Sequence, residues 1–552
     1  MTACATHLRY SETVNRREFL GTGGLLAAAA SAAQAQSSAG DTGRFIAIAE
    51  SLKPKLHETV RKPLSLVRPA ADSSAFFGWR MEPAGAIAEL PTRSLRRGDS
   101  FTLDFGGHIT GHFAFSISGI GSAVDSPVRL KLTFGEVPGD LAVPIETYSG
   151  SLSRAWLPDE IINVDFLPRR VSLPRRYAFR YVKLEVVDTS PNFAARFADC
   201  EATALTSAGQ RPARLPAAVP DLLRRIDEVS LDTLRDCMQT VFEDGPRRDR
   251  RLWVGDLRLQ ALTNSVTFRN FDLVKRCLYL FAGLPREDGL VAACVYDDPQ
   301  PLCGRQYIMD YSVLYAAAVL DYVRDTKDVA AARDLWPVVR RQMEIVGRFV
   351  NADGLFVDPK DWWLFIDWND ALDRTSPMQG VLLYCYQQAL ELARLAGAER
   401  EAAEYPERIR RMTAAARQAL YDSSRKLFVS GPGRQVSWAT QAWMIHSGVA
   451  SKDEGAAALR AIAKMSDAVR PVTPYLYHYV ADAMLLCGMK TEALELITSY
   501  WGGMVRSGAD TFWEVYNPEK PSLSPYGSLL VNSYCHAWSC TPAWFLRGRG
   551  LA

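Results

Sequence analysis

The sequence lacks the marks of the commonest cofactor chemistries. No Gly-x-Gly-x-x-Gly follows a strand-like run and no Walker loop is present, so nucleotide cofactors are not expected. No Gly-x-Ser-x-Gly elbow and no His-Glu-x-x-His pair occurs, which weighs against common esterases and zinc proteases. The ten cysteines never form Cys-x-x-Cys. Leaving out Cys4, nine remain scattered between Cys200 and Cys540, an odd number that suits buried thiols rather than a zinc knuckle or a disulfide framework. No cofactor and no metal are expected. An excess of one charge is also missing. Lys and Arg number 64 against 62 Asp and Glu, a net +2 that makes no case for nucleic acid or an anionic membrane.

What is present describes a soluble globular chain in more than one domain. At 552 residues it exceeds an ordinary single core, and its hydrophobic content is 48%. The N-terminus reads as a targeting segment over residues 1–35. Asn15-Arg16-Arg17-Glu18-Phe19-Leu20 precedes a short apolar run from Gly21 to Ala33 and an Ala33-Gln34-Ala35 cleavage site. This resembles a twin-arginine export signal. The run is too short for a permanent anchor, so the mature chain is expected from Gln36, handled by the twin-arginine (Tat) machinery and released to the periplasm or secreted, with no stable membrane insertion.

Residues 36–95 give few signals beyond a short helix around Phe45 to Leu52. From Ser100 the period becomes two. FTLDFGGHITGHFAFSISG, VRLKLTFGEV and RYVKLEVVD predict an antiparallel β-sandwich over residues 96–206. Prolines 212, 216 and 220 mark a linker at 207–220. Beyond it, DLLRRIDEVSLDTLRDC, MDYSVLYAAAVLDYVRD and GVLLYCYQQALELARLAG carry helical stripes, predicting an all-α domain over 221–552.

The densest chemistry lies at Asp244 to Asp256, DGPRRDRRLWVGD. Gly245-Pro246 interrupts any helix, so the charges sit on a turn leading into a new one. Carboxylates, guanidinium groups and an indole on one loop are the equipment of a carbohydrate site: proton transfer, grip on hydroxyls, and a face for the sugar ring. A solvated ion-pair loop is the plainer alternative. Two distant segments repeat the acidic and aromatic mixture, WWLFIDWNDALD at Trp362 to Asp373 and DTFWEVYNPE at Asp510 to Glu519.

The order D-x-P-x-R-[DE]-(x)6-D, F-x-D-W, T-x-W-E and S-x-x-H-x-W resembles glycoside hydrolase family 78, the α-L-rhamnosidases. The resemblance covers most of the chain beyond residue 95. It implies that the helical domain is an (α/α)6 barrel; composition alone allows any helical domain. It also implies an inverting hydrolase acting on a carbohydrate substrate, with two carboxyl groups about 6.5–9.5 Å apart.

By the same resemblance Asp249 is the general acid, standing where one branch of the family has Glu. Another branch carries Arg-Asp-Glu-Arg, and in that register Arg250 occupies the acid position. Four neighbouring arginines should lower the pKa of Asp249, unless Asp244 and Asp256 engage them. Glu243 and Asp256 are the substitutes. Glu514 matches the glutamate that activates water. Asp244, Arg248, Asp256 and Asp367 would hold sugar hydroxyls, and His536 would donate to the sugar. Trp253, Trp363 and Trp368 would form apolar walls suited to the methyl group of a 6-deoxy sugar. Two other readings stay open. One is a polysaccharide lyase using Tyr475, Tyr477, His478 or Tyr534. The other is a sugar-binding homologue that has lost its acid.

Overall fold

The computed structural model describes residues 41–551, so the segment read from the sequence as an export signal lies outside the described residues. Nine strands form one antiparallel system: β1 (His57–Arg61), β2 (Ser65–Ala71), β3 (Trp79–Ala86), β4 (Ser100–Gly121), β5 (Val128–Gly135), β6 (Asp159–Val164), β7 (Arg169–Ser172), β8 (Tyr177–Asp188) and β9 (Phe193–Thr206). The order is β1-β9-β4-β8-β5-β6, with β2 and β7 also paired to β4 and β3 hanging from β2. The strand β4 is the spine. Its register with β8 shifts between Asp104 and Ile109, and past that irregularity it pairs with β9 and β7. Alternate residues Phe101, Leu103, Phe105, Ile109, Phe113, Phe115 and Ile117 enter the core, as period two demands.

The strands start at His57, not at residue 96 as the sequence pattern indicated. β1 to β3 are short, carry Pro69 and Pro83, and lie largely on the surface, so alternation never develops. Helix α1 over residues 41–51 belongs to the other domain. Phe45 packs edge-on against Tyr279 at 5.7 Å, and Arg276 donates to the Ala49 carbonyl. Residues 207–220 contain no regular element.

A short helix α2 (Pro138–Ala142) follows β5. The helical domain then runs α3 (Asp221–Cys237), α4 (Val254–Val266), α5 (Phe271–Gly283), α6 (Met309–Thr326), α7 (Val329–Gly347), α8 (Thr375–Ala396), α9 (Tyr405–Leu420), α10 (Trp438–His446), α11 (Lys452–Ile462), α12 (Pro474–Leu486), α13 (Lys490–Arg506) and α14 (Pro542–Gly548). Side-chain caps start several of them, such as Ser437 on Thr440 and Thr473 on Leu476. Alternate helices touch in succession: α4 on α6, α6 on α8, α8 on α10, α10 on α12. A 3-10 turn at Ala537–Ser539 touches both α12 and α4, so the chain of contacts closes on itself. The helices between them flank this inner set, as α7 does against α6 and α8. None of the described helices is long and apolar enough to cross a membrane.

The β-domain meets the helices through aromatic packing. Phe76 lies 4.1 Å from Trp513 and 5.6 Å from Tyr534, ring centre to ring centre. The segment between β5 and β6 packs Ile145 and Leu157 against Leu530 and Val531.

Candidate active site

The loop between α3 and α4 is tied by its first acid. Asp244 accepts the amides of Asp249 at 3.0 Å and Arg251 at 3.1 Å, and its own amide donates to the Arg251 carbonyl at 2.9 Å. Between them Arg250 sits in the left-handed region at φ 62°. The turn is pressed against the segment around Ser533. A Cβ placed on Gly245 would lie 2.6 Å from both the Arg248 carbonyl oxygen and Ser533 Oγ. Burial, with the charge of Asp249 beside it, pushes the Asp244 carboxyl well above the usual carboxylate range.

Glu514 faces this loop from the connection between α13 and α14. Its amide donates to Ser533 O at 3.0 Å, and Ser533 N lies 3.3 Å from its Oε2. Trp538 Nε1 donates to its carbonyl at 3.0 Å, and the Tyr526 hydroxyl donates to its Oε1. Arg248 joins the two sides. One terminal nitrogen reaches Asp249 Oδ1 at 3.4 Å and the other Glu514 Oε2 at 2.5 Å, while Nε donates to Val531 O at 2.9 Å. Its plane lies 4.3 Å over the Tyr526 ring. Two carboxyl groups thus stand at the two ends of one guanidinium.

They line a cavity of about 170 Å³, below the range of drug-sized pockets, roughly 300–1,000 Å³, and suited to a single sugar ring. Trp253, Trp363, Phe365, Trp368, Tyr311 and Trp538 make the apolar walls, with Asp244, Asp256 and His536 among the polar ones. Asp256 is in the first turn of α4, and His536 Nε2 meets its Oδ1 at 3.1 Å. Burial alone would lower the His536 pKa. The bond to Asp256 and the nearby Glu514 charge outweigh burial and hold it above the ordinary value. Buried His536 Nδ1, Trp253 Nε1 and Trp368 Nε1 have no protein partner. Such groups are costly to leave unpaired, so the wall is equipped for a polar ligand.

Nine of the ten residues singled out from the sequence come together here: Asp244, Arg248, Asp249, Trp253, Asp256, Trp363, Trp368, Glu514 and His536. Asp367 is the correction. It is fully buried and spends both oxygens on α12, accepting the Val472 amide at 2.7 Å, the Thr473 amide at 3.1 Å and the Thr473 hydroxyl at 2.6 Å. Its place in F-x-D-W gave no hint of this capping duty. Arg250 is not on the cavity wall, and its Nε donates to Pro246 O at 2.9 Å. Glu243 is held by both its oxygens to Arg176, at 2.7 and 2.8 Å. Tyr475, Tyr477, His478 and Tyr534 lie off the wall.

The arginines do not pair as expected. Asp244 and Asp256 do not absorb them: Arg247 is taken by Asp140 and Glu136, while Arg248 and Arg251 both face Asp249, at 3.4 and 3.8 Å, and Arg251 also lies 4.5 Å over the Tyr296 ring. Sequence reading missed Leu152, Gln306, Ile308, Tyr311 and Tyr526. Tyr526 stands in a Pro- and Ser-rich stretch with no motif. Leu152 comes from the β-domain, whose Ser151 amide donates to Tyr526 O at 2.8 Å.

Two family models match the chain. Residues 63–204 match the glycosyl hydrolase family 78 alpha-rhamnosidase N-terminal domain, and residues 219–548 match the bacterial alpha-L-rhamnosidase 6 hairpin glycosidase domain. The chain belongs to glycoside hydrolase family 78. This family 78 enzyme resembles the rhamnosidase from Klebsiella oxytoca solved with rhamnose bound, at 46% identity over 92% of this chain and 99% of that one, with a TM-score of 0.90. It shares its fold with the family 78 rhamnosidase of Bacillus sp. GL1, at 22% identity and a TM-score of 0.71, covering 85% of this chain and 49% of that one. No protein of curated function matches in a direct comparison. Among the described residues of this family 78 hydrolase, no group of three or more His, Cys, Asp or Glu is placed to hold a metal.

Proposed function

We propose that this family 78 hydrolase is an exported inverting enzyme releasing terminal α-L-rhamnose, or a related 6-deoxy sugar, from plant or microbial glycans. The observation that carries the reading is the pair Asp249 and Glu514 at the two ends of Arg248, in a cavity sized for one sugar and walled by indoles. The rhamnose reported in the Klebsiella oxytoca relative supports the sugar. Asp249 donates its proton to the glycosidic oxygen as the bond to the anomeric carbon breaks. Glu514 takes a proton from water as that water forms the new bond from the opposite face. Arg248 and Tyr526 fix the carboxylate of Glu514, and Ser533 N adds a third donor. In this reading His536 and the unpaired indole N–H groups bond sugar hydroxyls, and the apolar wall takes the methyl group; the partnerless nitrogens and the aromatic lining support it.

The test is hydrolysis of an aryl α-L-rhamnoside by the mature protein beside Asp249→Asn and Glu514→Gln. Wild-type turnover is expected, with kcat falling about 10²–10⁴-fold in each variant. Activity retained in Asp249→Asn would refute the acid assignment. Following the product by NMR should show the inverted anomer first; the retained anomer first would refute inversion. Export is read by cell fractionation of a chain carrying Arg16→Lys and Arg17→Lys, which should stay in the cytoplasm.

A further inference from the structure

We infer that Glu136, a residue of the β-domain, is a positioning residue for hydrolysis, setting the spacing between the segment that carries Asp249 and the segment that carries Glu514. The inference rests on the roles given to those two carboxyls above.

Glu136 directly follows β5, is 3% exposed and does not line the cavity. Its Oε2 accepts the Tyr534 amide at 2.8 Å and faces Arg247 Nη1 at 3.4 Å. Each partner is one residue from the site. Arg247 precedes Arg248, which touches both Asp249 and Glu514. Tyr534 follows Ser533, whose amide and carbonyl both bond Glu514. One carboxylate oxygen therefore gathers the two strings on which the acid and the base hang.

The rest of the arrangement fixes that oxygen. Glu136 Oε1 meets His108 Nε2 at 3.1 Å, and His108 Nδ1 meets Asp236 Oδ2 on α3 at 2.7 Å. An imidazole between two carboxylates donates from both nitrogens only when it is charged. Arg247 is clamped further by Asp140 at 2.8 and 3.3 Å and by Leu530 O at 2.7 Å. Fully partnered buried charges of this kind hold their geometry, whereas a half-satisfied group shifts or unfolds. A 1 Å misplacement of reacting groups costs on the order of 10²-fold in rate, so small movements at Glu136 should be read out in kcat.

The alternative is that Glu136 only joins the domains. Glu136→Gln separates the two, because the amide keeps an acceptor for Tyr534 N and loses the charge facing Arg247 and His108. We expect kcat on aryl α-L-rhamnoside to fall at least tenfold, with rhamnose affinity by calorimetry within about threefold of wild type. In Glu136→Gln/Arg247→Met the loss should be no larger than the single losses added, and close to the greater of them. Asp227→Asn is the control, since its carboxylate is as buried as that of Glu136 and pairs with the partly exposed Arg547 (2.6 Å, α3 to α14) away from the cavity. It should lower Tm and leave kcat intact. If Glu136→Gln fails to fold, Asp140→Asn loosens Arg247 with Glu136 in place, and kcat should fall two- to fivefold. Wild-type kcat in the folded Glu136 or Asp140 variant, at a lowered Tm, would overturn the inference alone. An inactive wild type would overturn the reading of the site and this inference with it.

Discussion

Arg248 is the residue on which the site turns. It is buried, touches both proposed catalytic carboxyls and lies over Tyr526. Removing the hydroxyl in Tyr526→Phe leaves the ring beneath the guanidinium but frees one oxygen of Glu514, and kcat should drop about ten- to hundredfold, as for loss of a hydrogen bond to a charged group, roughly 1.5–3 kcal/mol. An unchanged kcat would show that Arg248 and Ser533 suffice. Trp363 is different in kind. It is 40% exposed at the rim, so Trp363→Ala should raise KM about five- to tenfold with kcat nearly unchanged, consistent with a lost aromatic face of about 1 kcal/mol. A fall in kcat with constant KM would place Trp363 against the reacting bond instead. At this scale the sequence was readable where a motif fixes both residue type and spacing, as at Asp244 and Glu514, and less so at Asp249, where only the spacing matches. It was unreadable for Tyr526 and Leu152, which reach the cavity only through tertiary packing.

The loops that carry these residues are fastened by carboxylates that never meet the cavity. Asp310, in the first turn of α6, accepts the amides of Phe365 and Ile366 at 2.8 and 3.2 Å, and Asp367 holds the start of α12. Burial pushes both up to about 6, against the hydrogen bonds they accept. A carboxyl whose folded pKa is raised binds more protons folded than unfolded. Its contribution is therefore most favourable below the unfolded value, about 3.9, and is lost as pH rises to about 6, by roughly 2–3 kcal/mol for each group. The amide of Asp310→Asn does not titrate. Wild type should thus lose Tm relative to this variant between pH 4 and 6 and run parallel above, and a difference constant with pH would refute the assignment. Gly245 is the second fastening. Because an added Cβ would strike the Arg248 carbonyl and Ser533 Oγ, Gly245→Ala should cut kcat more than tenfold; full activity would mean the loops can part without consequence. The F-x-D-W phrase gave the loop but not the job of Asp367, since capping a helix about a hundred residues away has no local signature.

Across the whole molecule, the sequence pattern found two domains and located their junction near Pro220, but not their union. Alternation in β4, β5 and β8 announced the antiparallel sheet domain, and helical stripes announced the helices. The contacts between them pair residues hundreds apart, such as Glu136 with Tyr534 and Ser151 with Tyr526, and no local period encodes those. With Phe76 against Trp513 and the ions around Arg247 buried in the same interface, the domains should unfold in one calorimetric transition. Two resolved transitions would show the interface to be weaker than its packing suggests.

The unequal exposure of the two carboxyl side chains, 18% for Asp249 and 3% for Glu514, carries a consequence for the order of events in a turnover. The proposed acid stands toward solvent and the proposed base toward the interior. With those roles, the hydrolytic water would be seated before the glycan plugs the opening, and the aglycone would depart before the sugar behind it. Free sugar would then leave last and meet the same empty site as incoming glycan, so added L-rhamnose should raise KM with kcat unchanged; a fall in kcat at constant KM would refute that order of release.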